Sequence, residues 1–108
     1  MLLYSMISGR YNVVWAADGD EAIAAALSCS PDLVVSDLML PRVSGLEMAR
    51  GLQEDERTRN IPVLMITSRE LDSKITSAFK AEANIRGSFN KSFGLQALKQ
   101  TIVGLLPA

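Results

Sequence analysis

The chain has 108 residues, enough for one domain whose core needs no disulfide or metal staple. Hydrophobic residues make up 48% and charged residues 21%, which excludes a disordered chain; a net charge of −1 offers no basic face for direct nucleic-acid binding. One cysteine and no histidine exclude an internal disulfide, a His-ligated metal and a His general base, and point to a reducing, cytoplasmic setting.

In chain order, Leu2, Leu3, Met6 and Ile7 have a helical spacing that Gly9 would end; the stretch lacks a basic leader and is too short to span a membrane. Tyr11 to Ala17 reads as a strand, β-branched and aromatic. Asp18-Gly19-Asp20 is a turn able to cap a helix with Ile23, Ala26 and Leu27 on one face, and Pro31 stops it. Leu33 to Ser36 lacks polar alternation, the pattern of a parallel strand buried on both faces. Ser44-Gly-Leu-Glu47 is a capping box for a helix with Met48, Ala49 and Leu52 facing inward. Glu54 to Asn60 is a polar connector, and Ile61 to Thr67 is a second buried strand. Leu71, Ile75, Ala78 and Phe79 mark the next helix, and Asn84 stands where a left-handed cap residue is wanted. Gly87 to Asn90 is a short strand, and Leu95, Leu98, Ile102 and Leu105 form the apolar face of the last helix. Strand–helix alternation of this kind implies an α/β, doubly wound parallel sheet.

In such sheets functional groups gather beyond the carboxyl ends of the strands. Those ends carry Asp37, Thr67 and Lys91. Each alone is ordinary: a strand-end Asp is usually a cap, Thr a good strand residue, Lys a solvent residue. Together they offer a nucleophilic or metal-ligating carboxylate, a hydroxyl donor and a compact cation, the parts a phosphoryl group needs.

The blocks "SDLMLPRVSG", "IPVLMITS" and "AEANIRGSFNKSF" resemble the receiver domain of two-component response regulators, from about Tyr11 to the chain end, with wording nearest chemotaxis-type and hybrid-kinase receivers. The resemblance implies a flavodoxin-like fold of strand order 2-1-3-4-5. It implies phosphoryl transfer from a phosphohistidine of a sensor histidine kinase, or from a phosphotransfer protein, onto Asp37, with Thr67 and Lys91 assisting. The backbone carbonyl of Met39 and the Asp37 carboxylate would ligate Mg²⁺, and Pro41 and Gly45 would shape the following loop. It implies a signalling module that catalyses only its own phosphorylation and dephosphorylation, and whose output is a change of downstream protein partner, with no direct nucleic-acid or membrane binding.

The sequence departs from the family pattern at its start. The family's first strand, ending in an acidic pair that holds Mg²⁺, is missing, so residues 1–108 read as a single receiver domain truncated at its N-terminus. Its absence would leave the flanking strands ~10 Å apart, unless they close up or another chain fills the gap. The magnesium site would then be incomplete and phosphoacceptance weak. The family's switch aromatic, three residues before the lysine, is here Ser88, with Phe89 on the opposite face; the proline after the lysine is here Ser92. A phosphorylation-independent pseudo-receiver is therefore the alternative. An aspartate-nucleophile phosphatase ranks well below, since Met39 stands where its second Asp belongs.

Overall fold

The computed structural model describes residues 2–6, 11–16, 18–38, 44–67 and 73–106. They form β1 (Leu2–Met6), β2 (Tyr11–Ala16), α1 (Gly19–Cys29), β3 (Leu33–Asp37), α2 (Gly45–Gln53), β4 (Val63–Thr67), α3 (Ser73–Ala81), β5 (Ile85–Asn90), a 3₁₀ turn (Lys91–Phe93) and α4 (Gly94–Leu105). One five-stranded sheet runs in the order β1-β2-β3-β4-β5. Strands β2 to β5 are parallel, and β1 is antiparallel to β2 at one edge.

The two central strands, β3 and β4, are buried on both faces, which is why they read as unbroken apolar runs. On one face Val14, Val34, Val63 and Met65 pack against α1, α2 and α3 through Ala22, Ala26, Met48, Leu52 and Phe79. On the other face Val13, Leu33, Val35, Leu64 and Ile66 join Leu98 and Ile102 of α4.

The first segment corrects the sequence reading. Leu2–Met6 is a strand and not a helix, in register with β2 from Leu2 opposite Trp15 to Met6 opposite Tyr11. Five residues with apolar positions are compatible with either state, and the unpaired outer edge of β2 supplies backbone partners that an isolated short helix lacks.

The expected gap in the sheet is also absent. β2 and β3 pair directly, Val13 with Leu33 and Val14 with Val34, so the two strands have closed up.

Two smaller expectations change. Asn84 is not left-handed; among the described non-glycine residues the positive φ (47°) belongs to Ser30, which ends α1. Asn84 is instead buried, its Nδ2 donating to the Ala49 carbonyl at 2.8 Å and its Oδ1 accepting from Gln53 Nε2 at 2.9 Å. Leu95 is not on the buried face of α4: it is 67% exposed, beside Phe93 at 72%. Leu71 lies outside the described residues.

The caps form as expected. Asp18 accepts from the backbone amides of Asp20 (2.9 Å) and Glu21 (3.5 Å) at the start of α1. Ser44 accepts from the Glu47 amide at 3.2 Å, and its hydroxyl donates to Glu47 Oε1 at 3.3 Å.

Candidate functional site

β3, β4 and β5 end side by side, and the ladder fixes how. Asp37 pairs with Ile66, and Thr67 pairs with Asn90, the residue before Lys91. The carboxylate, the hydroxyl and the ammonium thus come from three adjacent strand ends on one edge, where a parallel sheet exposes its strand termini.

Asp37 is the last residue of a strand whose other four members are fully buried, and its own side chain is one-third exposed. A carboxylate there keeps access to water and to a reactant while its backbone stays anchored. The anchoring is dense: Ser36 Oγ donates to the Asp37 carbonyl at 2.8 Å, and the Leu38 amide extends the ladder to the Ile66 carbonyl at 3.0 Å. The Gly45 amide then donates to the Leu38 carbonyl at 2.9 Å, drawing the start of α2 back against the site. A Cβ at position 45 would stand 2.5 Å from the Asp37 carbonyl oxygen and 3.1 Å from Met65 Sδ, so only glycine permits this approach.

Thr67 ends β4 and is nearly buried. Lys91 follows β5 and reaches across the end of β4, its Nζ 2.7 Å from Asp37 Oδ1. Half of the Lys91 side chain is exposed, and its stem lines a largely apolar cavity of about 190 Å³ with Trp15, Ile66, Phe89, Leu95 and Leu98. The structure thus brings Asp37 and Lys91 into contact and sets Thr67 on the strand end between them. Met39 and Pro41 lie outside the described residues.

Two departures from the family pattern take physical form. Ser88 is exposed on the α3 side, beside Thr76, Phe79 and Lys80, while Phe89 points to the α4 side and meets Phe93 edge-on at 6.2 Å. No aromatic ring therefore occupies the switch position. Ser92, in place of proline, uses its backbone N–H: it donates to Asn90 Oδ1 at 2.9 Å. Asn90 escaped the sequence reading although its signal was present, since Asn followed two residues later by a free amide makes an Asx turn.

The described donors do not complete a resident magnesium site. No cluster of three Asp, Glu, His or Cys side chains occurs among the described residues. Asp37 is engaged by Lys91, and Asp18, the acid following β2, caps α1. Mg²⁺ needs one or two carboxylates besides phosphate oxygens and water.

A largely parallel α/β sheet with Asp, Thr and Lys at three successive carboxyl ends points to a class of two-component signalling modules. The chain belongs to the response regulator receiver domain family, whose model matches residues 2–103. It is 34% identical to the chemotaxis protein CheY of Pseudomonas aeruginosa over 94 residues, 87% of this chain and 74% of that protein. It is 35% identical to hybrid signal transduction histidine kinase D of Dictyostelium discoideum over 101 residues, which is 94% of this chain but only 6% of that kinase. The solved structure of Vibrio cholerae CheY4 matches at a TM-score of 0.75 and 30% identity, covering 84% of this chain and 74% of that one. Among the described residues no helix is long and apolar enough to cross a membrane.

Proposed function

We propose that the chain accepts a phosphoryl group on Asp37 from a phosphohistidine of a sensor histidine kinase or phosphotransfer protein, and thereby changes a downstream protein partner. The observation that supports this best is the Lys91–Asp37 contact of 2.7 Å at a strand end that is itself accessible.

In this reading an Asp37 carboxylate oxygen attacks phosphorus. The P–O bond forms as the P–N bond to the donor imidazole breaks, and the imidazole leaves with the bonding pair and takes up a proton. Lys91 moves from the carboxylate to the phosphoryl oxygens, so the negative charge built up at Asp37 keeps a cation beside it. Thr67, on the strand between them, donates its hydroxyl to the same oxygens.

Magnesium, which the family resemblance implies, has no complete donor set among the described residues. That shortfall favours the second reading, a receiver-like module that binds its partner without being phosphorylated.

The intact mass of the chain after incubation with a small-molecule phosphodonor, with and without Mg²⁺, separates the two. One added phosphoryl group, absent from Asp37→Asn, is expected. No addition under either condition leaves the second reading standing and sinks the first.

A further inference from the structure

Lys91 is a long, half-exposed side chain at the end of an edge strand, and such a group does not aim itself. What aims it is the backbone on either side. Asn90, extended at φ −91° and ψ 124°, is the last residue of β5 and pairs with Thr67. Its side-chain oxygen accepts from the Ser92 amide at 2.9 Å, bridging directly over Lys91. On the far side the Gly94 amide donates to the Lys91 carbonyl, with Gly94 at φ +88°, a conformation natural to glycine. The turn that carries Lys91 is thus tied to the strand by one side chain and closed by one backbone bond.

We propose that Asn90 is a positioning residue for Lys91, and that the Asn90–Ser92 hydrogen bond is the stiffening element of a turn where the family more often places proline. The two residues work as a pair: proline at 92 would have no N–H to donate, and a residue without a side-chain acceptor at 90 would leave the Ser92 amide untied. Asn90 touches neither Asp37 nor a reactant in this role; it holds the backbone from which Lys91 reaches Asp37. The inference deepens the phosphoacceptor reading, yet its geometry stands without any phosphoryl chemistry.

The test uses the whole chain and two readouts. The first is the rate of acylation of Lys91 Nζ by a lysine-directed reagent, followed by peptide mass spectrometry, which reports the ion pair without phosphorylation. The second is the initial rate of Asp37 labelling by a small-molecule phosphodonor. Asn90→Ala should raise Lys91 acylation and lower labelling, each by roughly 2- to 10-fold, the range for loss of one neutral hydrogen bond. Asn90→Ser, which keeps an uncharged acceptor, should recover most of both effects. In a Ser92→Pro background, Asn90→Ala should change neither, because the bond is already gone. Circular dichroism confirms that each variant is folded.

If wild-type chain is not labelled, the phosphoacceptor reading fails, while acylation still decides the role of Asn90. Unchanged Lys91 acylation in a folded Asn90→Ala variant would overturn the proposal. So would an equal effect of Asn90→Ala with and without Ser92→Pro.

Discussion

Lys91 Nζ and Asp37 Oδ1 stand 2.7 Å apart, and the contact spans β4, since Asp37 ends β3 and Lys91 follows β5. The two side chains are 51% and 33% exposed, so solvent screens the pair and it adds only about 0–1 kcal/mol to stability. Its value is positional: the cation already stands where negative charge would build up on Asp37. Lys91→Met is therefore expected to shift the urea midpoint little and to slow Asp37 labelling on the order of 10²-fold, the scale for losing one charge-stabilising donor. Labelling at the wild-type rate would show that Lys91 plays no part.

Gly45→Ala tests the close approach of α2 to the strand end. The added methyl would lie 2.5 Å from the Asp37 carbonyl and 3.2 Å from Ser36 Oγ, both on the backbone or short side chains of the site strand, which cannot step aside cheaply. A loss of about 1–3 kcal/mol is expected from overpacking, read as a lower urea midpoint at constant slope. Labelling should fall as well, because the displaced atom belongs to Asp37 itself. A variant as stable and as reactive as wild type would mean that α2 shifts freely.

Asn84→Ala tests a buried polar latch. Asn84 bridges the start of β5 to α2 through Ala49 and Gln53, and Gln53 also donates to Glu82 Oε1 at 3.0 Å. Removing the amide withdraws a partner from groups shut off from water, a cost of about 1–3 kcal/mol. Calorimetry on the variant checks this; a change below about 0.5 kcal/mol would assign Asn84 to the ordinary surface class.

Asn84 also illustrates what the sequence could and could not disclose. Strands β3 and β4 were legible because burial on both faces writes an uninterrupted apolar run, and Asp37 and Thr67 stood out as candidates because they end those runs. A left-handed cap is a local backbone property, whereas the role of Asn84 depends on Ala49, 35 residues away, which local pattern does not carry. β1 was misread for the same reason: its state is set by pairing with the outer edge of β2. The direct pairing of β2 with β3 is likewise tertiary, a consequence of which strand edges are free to meet. Leu95 had the spacing of a core residue, but the α4 face that reaches the sheet is defined by Leu98 and Ile102.

Asp55 gives a pH prediction away from the site. The Arg57 guanidinium hydrogen-bonds its carboxylate at 2.8 Å and 3.1 Å, and the Arg57 amide adds a third bond at 2.8 Å. Together these lower the Asp55 pKa from 3.8 to about 2. A folded value below the unfolded one means the contribution is whole above pH ~4 and is lost as pH falls through about 2. The pair is open to solvent, so the stability change is small and salt-sensitive. Arg57→Ala should move the Asp55 carboxyl titration, followed by carbon NMR, part of the way back toward 3.8, since the backbone bond remains. A midpoint unmoved by the substitution would show that the side chain is not what holds it.

Trp15, the single tryptophan, lines the same cavity as the Lys91 stem, together with Ile66 and Phe89. If Lys91 swings from the carboxylate to a phosphoryl group, its stem changes place against that cavity and the surroundings of the indole change with it. Adding a phosphodonor should therefore shift or quench Trp15 emission at the rate at which mass is gained, and Asp37→Asn should show neither. Ser88 and Phe89 make this reporter informative. Position 88 carries no ring to swing, while Phe89 already packs on the Trp15 side of the sheet, so a signal at Trp15 would place the response on the α4 face. Labelling with a silent Trp15 would instead leave that face unmoved, and place the response on the α3 side of β5.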